Sequence, residues 1–137
     1  MESTQGGGGR EQTLWLPNLL LLGFKPAAVE RKHKVRVDAS TFQGKPNAAA
    51  MEVIMHFLLA RVLARKTLAR VLTRDIWPIY ERKQARAFKK AVGAALQDMV
   101  HQGQLPALCG RPGLLEKCCG AGFEAMLTAV GQLAMRR

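Results

Sequence analysis

Acidic residues are scarce in this 137-residue chain: 10 Asp and Glu stand against 21 Lys and Arg, a formal net charge of +11. Such an excess says little about fold but favours polyanionic partners, namely nucleic acid, anionic lipid or an acidic protein surface. Long apolar runs are also missing. The longest, Leu19-Leu20-Leu21-Leu22, stops at Gly23, well short of the ~18 residues that a membrane-spanning helix needs. The opening Met1-Glu2-Ser3-Thr4 is acidic and runs into Gly6-Gly7-Gly8-Gly9, so the basic start of a secretory signal is absent and an intracellular protein is expected. Cysteine is limited to 3 residues, two of them adjacent at Cys118 and Cys119; this is no disulfide framework, and free thiols in a reducing compartment are expected. Serine occurs only as Ser3 and Ser40, which disfavours a serine nucleophile. Aromatic residues make up 6% of the chain, too few for an exposed base-stacking platform.

Apolar residues, at 48%, are sufficient for a core, and a chain of this length buries roughly two-thirds of its unfolded surface as a single domain. Residues 1–12 are Gly-rich and polar and read as a disordered tail, leaving 13–137 as the domain. Leu14 to Leu22 suits a short, deeply packed helix ending at Gly23, with Pro17 tolerable only near the first turn. From Lys25 to Pro46, Val29, Val35, Val37 and Phe42 are scattered without a period among Arg31, Lys32, Lys34, Arg36 and Lys45, and the segment reads as a long basic loop. A second helix is expected over about Asn47–Arg65, where Met51, Ile54, Met55, Leu58 and Val62 recur at offsets 0, 3, 4, 7 and 11 and Val53, Phe57 and Leu59 widen the stripe. A shorter turn with Leu68, Val71 and Leu72 follows. A third helix is expected over about Ile79–Gln102, with Pro78 at its first turn, the stripe Phe88, Val92, Ala95, Leu96 and Met99, and Gly103 as its stop. A last helix starts near Gly122, with Phe123, Met126, Leu127, Val130 and Ala134 on one face. Trp77, Phe88 and Leu58 are assigned to the core. Strand-like alternation is weak and confined to Val35–Val37, so the fold class is all-α.

Few residues carry recognisable chemistry. His101 with Cys109, Cys118 and Cys119 lacks the paired spacing of a zinc site. His56 lies beside an apolar stripe and reads as a packed or boundary histidine, and His33 as a loop residue. Gly6–Gly9 is followed by no Lys-Ser or Lys-Thr pair, so it is no phosphate loop. No catalytic residue, metal site or cofactor is expected, and the chain is not read as an enzyme. What remains is basic surface. One cluster, Arg82, Lys83, Arg86, Lys89 and Lys90, lies on the third helix; a second comprises Arg61, Arg65, Lys66, Arg70 and Arg74. Either can be a solvated face or a polyanion-binding face, the latter acting through summed attraction and counterion release.

Four blocks in order, Leu19-Leu20-Leu21-Leu22-Gly23-Phe24-Lys25-Pro26, Met51 to Leu59, Ile76-Trp77-Pro78-Ile79-Tyr80 and Arg86-Ala87-Phe88-Lys89-Lys90, resemble the N-terminal domain of HAUS augmin-like complex subunit 6. His101 to Pro106 and Cys118 to Phe123 are most similar to the plant form of that family. The resemblance spans most of residues 14–134. It implies a calponin-homology-like helical domain at the head of a non-catalytic scaffold subunit. Its partners would be other augmin subunits, especially subunit 7, the microtubule, and indirectly the γ-tubulin ring complex. Its setting would be the cytoplasm, the cytoskeleton and the spindle, where new microtubules nucleate on existing ones during cell division; a membrane role is not implied. The basic clusters would then be candidate microtubule contacts facing acidic tubulin. The chain ends at Arg137 before any sustained heptad, so the coiled coil expected of the whole subunit is missing and the sequence reads as a fragment or a truncated product. The Gly-rich tail and the basic 31–46 segment have no counterpart that aligns. Two alternatives stay open: a small basic helical nucleic-acid-binding protein, or a domain used only for pairing with another augmin subunit.

Overall fold

The computed structural model describes residues 14–137; the expected tail at 1–12 lies outside the described residues. The described residues form α-helices and one short 3-10 turn, with no strand among them. Helix α1, Trp15–Leu21, has Pro17 in its first turn and stops where Gly23 adopts φ +100°, a conformation that glycine reaches without a Cβ penalty.

The segment expected to be one long basic loop instead begins with a helix, α2, Pro26–His33. Proline at its first position supplies a preset φ, Lys34 closes it in the left-handed region at φ 59°, and Arg31, Lys32 and His33 in the last turn complement the dipole. No residue of α2 is buried, so it leaves no apolar stripe to read. The remaining stretch, 34–46, is irregular but anchored. Val35, Val37 and Phe42 are buried in the core, and the Asp38 carboxylate accepts from the Ser40 amide at 2.9 Å and hydroxyl at 2.7 Å. Phe42 packs edge-on to Trp15 (5.2 Å) and to Phe123 (4.8 Å).

Helix α3, Ala48–Val62, starts where the Asn47 side chain accepts from the Ala50 amide at 3.0 Å, satisfying an otherwise orphaned donor. Met51, Ile54, Met55, Leu58, Leu59 and Val62 are all buried. It stops three residues before the expected Arg65, because Leu63 is extended, and α4, Arg65–Val71, follows in a new direction. Helix α5, Arg82–His101, starts later than the expected Ile79. Its first turn is set by a reciprocal capping box between Glu81 and Gln84, not by Pro78, which lies in the preceding turn after a cis peptide bond. Gln84 Nε2 donates to the Pro78 carbonyl at 2.9 Å. Gly103, at φ +77°, follows the end of α5 as expected.

The 3-10 turn Ala107–Gly110 and the single-turn α6, Leu114–Lys117, carry the chain to α7, Gly120–Arg136. The core lies where α1 and α3 pack on α7 and α5 covers the 3-10 turn. Trp15 lies beside Glu124 and Asn18 faces Gly131, so α1 and α7 run in the same direction. Phe88 and Leu58 are fully buried, but Trp77, expected in the core, is only half-buried against it. It belongs to the turn before α5, and one face of its ring is taken by His56 rather than by core side chains.

Candidate polyanion-binding surface

Helix α5 is amphipathic in the simplest way. Phe88, Val92, Ala95, Leu96 and Met99 are buried, so the cations at the intervening positions of its N-terminal half point away from the core. Arg82, Lys83, Arg86 and Lys90 are exposed, whereas Lys89 is half-buried. Lys89 Nζ lies 3.3 Å from Glu116 Oε2, reaching across to α6. Its charge also opposes the upward push that burial gives the Glu52 carboxyl. Lys89 is therefore the compensated member of the group.

Arg86, Lys89 and Lys90 line one groove of about 210 Å³ with Arg111, over a floor that includes Leu96 and Leu115. Glu116 is the acid on this lining. Arg111 was invisible to sequence reasoning, since it follows the 3-10 turn in a linker and shares no helical spacing with α5. Gln97 Nε2 donates to the Gly110 carbonyl at 3.3 Å and so helps hold that linker against α5.

The second sequence-derived group is carried by the end of α3, by α4 and by the residues beyond it. Arg61, near the end of α3, places its guanidinium 4.7 Å from the centre of the Phe57 ring and lines a groove with Phe24 and Lys32. Arg70 instead lines a groove between α4 and α5 with Asp98 and Arg137. Arg65 and Lys66 are exposed in the first turn of α4, where positive charge opposes the helix dipole, and Arg74 is exposed beyond its end.

Other reactive groups are packed away. Cys109, Cys118 and Cys119 are free and buried, and burial pushes the Cys109 thiol up to about 11, so it is a poor nucleophile at neutral pH. His56 is half-buried and stacks on Trp77 at 4.2 Å with an interplanar angle of 10°. Burial first, and then His33 and Lys32, hold its pKa below the ordinary value. Among the described residues, no group of three His, Cys, Asp or Glu side chains could hold a metal, and no helix is long and apolar enough to cross a membrane. The arrangement offers fixed positive charge beside shallow apolar floors, which is binding chemistry.

The family model of the HAUS augmin-like complex subunit 6 N-terminus matches residues 15–137. The chain belongs to this family. Augmin membership thus covers every helix described above, from Trp15 of α1 to the end of α7. The family is a component of a structural complex, which implies an augmin subunit whose partners include other augmin subunits. None of the curated proteins and none of the solved structures matches the chain.

Proposed function

We propose that this augmin domain contributes to microtubule binding through the face built from the N-terminal half of α5 and the 110–116 linker. In doing so it supports γ-tubulin-dependent nucleation on existing microtubules in the spindle. Its calponin-homology-like character, its place beside augmin subunit 7 and its tubulin contact belong to the same proposal. The observation that carries it is the gathering of Arg86, Lys89, Lys90 and Arg111 around one groove, with Arg82 and Lys83 exposed on the same helix. Tubulin presents an acidic surface, and a concentrated positive face speeds encounter and loses strength as salt screens it. Arg61, Arg65, Lys66, Arg70 and Arg74 add to the overall attraction from the end of α3, from α4 and from beyond it.

The test is microtubule co-sedimentation across a salt series. Reversing Arg82, Lys83, Arg86 and Lys90 to Glu is expected to weaken binding at least tenfold, while reversing Arg65, Lys66 and Arg74 weakens it a few-fold. Equal losses from both sets would remove the assignment to α5. Tighter binding to duplex nucleic acid than to microtubules would favour the nucleic-acid reading. Capture of subunit 7 by a chain that ignores microtubules would favour pairing alone.

A further inference from the structure

A second surface has a different character. On the side of α3 away from α7, α2 crosses over the chain and leaves two hollows, of about 420 and 520 Å³. The His56–Trp77 stack lines both of them, as do Lys32, His33 and Val53. Phe24 and Phe57, edge-on at 5.1 Å, line the first, and Ile79 and Tyr80 the second. Tyr80 is 82% exposed, the largest aromatic surface that the described core leaves open. The lining is thus aromatic and aliphatic, whereas its rim carries Lys25, Lys32, His33 and Arg61. Glu52 is the acid on the lining of the second hollow, and burial favours its neutral form.

We infer that this double hollow docks a short segment of a partner protein that places apolar side chains on either side of the His56–Trp77 stack and carboxylates against the Lys25, Lys32 and Arg61 rim. The pairing of an apolar floor with a one-sign rim selects both halves of that chemistry, since a purely acidic strand leaves the floor wet and a purely apolar one leaves the cations without partners. The surface is concave, with α2 as one wall and the 76–80 turn as the other, and so fits an inserted segment better than a flat lipid surface. It is distinct from the α5 groove, which shares no lining residue with either hollow.

Binding is tested on the full chain with fluorescein-labelled 14-residue peptides: one with Phe and Leu anchors three residues apart flanked by Glu, one with both anchors changed to Ala, and one with Lys in place of Glu. Phosphatidylserine vesicles are run in parallel. The anchored acidic peptide is expected to bind at least tenfold more tightly than either control. The doubly substituted Lys25→Glu and Lys32→Glu chain, altered only at exposed positions, is expected to lose at least fivefold in peptide binding with unchanged circular dichroism, and to lose no more microtubule co-sedimentation than the few-fold expected from reversing Arg65, Lys66 and Arg74. Trp77 reports occupancy directly, because Trp15 is buried; the emission change on binding should vanish in Trp77→Phe. Failure of all three peptides, equal binding by the Ala-substituted peptide, capture by vesicles alone, or a loss of peptide binding on reversing Arg86 and Lys90 as large as that from the rim each overturns the assignment. None of these outcomes depends on microtubule binding, so the two proposals fail separately.

Discussion

The two flanks of this domain are held by different means. On one, α1 lies along α7 with Trp15, Leu19, Phe42 and Phe123 buried to 1% exposure or less, and even polar side chains are trapped there. Asn18 Nδ2, Trp15 Nε1 and Glu124 Oε2 have no hydrogen-bond partner. On the other flank, α2 buries nothing completely, and the Trp77 turn leaves its aromatic residues half open. The first flank commits its chemistry to holding the chain together, at the cost of unpaired polar atoms. The second keeps apolar and charged groups available to something outside the chain.

The widest separation between the flanks should appear on truncating a side chain in each. Phe42→Ala, which empties the space between Trp15 and Phe123, is expected to cost about 3–5 kcal/mol in urea unfolding. Val29→Ala on α2 should cost less than about 1 kcal/mol. Comparable losses would mean that α2 is as much a part of the core as the loop is.

Glycine substitutions sharpen the same contrast. A Cβ at Gly131 would meet Asn18 Cβ at 3.2 Å, whereas one at Gly93 would meet only Leu115 Cδ1 at 3.8 Å, an ordinary contact. Gly131→Ala should therefore destabilise by about 1–3 kcal/mol through overpacking, and Gly93→Ala, in the interior of α5, should stabilise by about 0.4–1 kcal/mol. Thermal melts of the two variants should move in opposite directions.

Protonation gives a smaller effect. Burial raises the Glu124 pKa above its ordinary 4.5, and the Trp15 indole beside it opposes that rise without closing a hydrogen bond. The folded chain thus holds this proton more tightly than the unfolded chain does. Its contribution is full below pH 4.5 and is lost as pH rises through the higher folded value. Glu124→Gln should accordingly stabilise the domain at pH 7 by about 1 kcal/mol and flatten the loss of stability above pH 4.5.

On the open flank the sign reverses. His56, with its pKa lowered from 6.5, favours folding fully above 6.5, and that contribution declines as pH falls toward the lowered value. Lys32→Ala should move the His56 titration midpoint upward with almost no change in stability, as followed by its ring proton resonances.

Core-facing stripes were the legible part of the fold. Met51, Ile54, Met55, Leu58 and Val62, like Phe88, Val92, Ala95, Leu96 and Met99, recur at helical spacing because their side chains share one core, and all ten are buried; Val53 and Phe57, which widen the first stripe, are only partly buried. Helix α2 was unreadable for the complementary reason: with no face committed to a core, Pro26–His33 shows only scattered apolar positions. The start of α5 was misplaced because Pro78 suits a first turn, yet Glu81 and Gln84 supply both halves of the cap. Of the candidate cations, those on α5 could be grouped because one helix carries them. Arg111 could not, since only tertiary folding brings its linker to that groove, and Arg61 and Arg70, nine positions apart in sequence, turn out to line different grooves.

The basic stretch after α2 is fastened to the centre of the domain. The Gly120 amide donates to the Phe42 carbonyl at 2.8 Å, and the Asn47 amide to the Cys118 carbonyl at 3.2 Å, while the Phe42 ring is clamped from both sides. A displacement of the chain at Arg36 or Lys45 would thus be felt at the start of α7, because main-chain hydrogen bonds and a shared aromatic stack join the two.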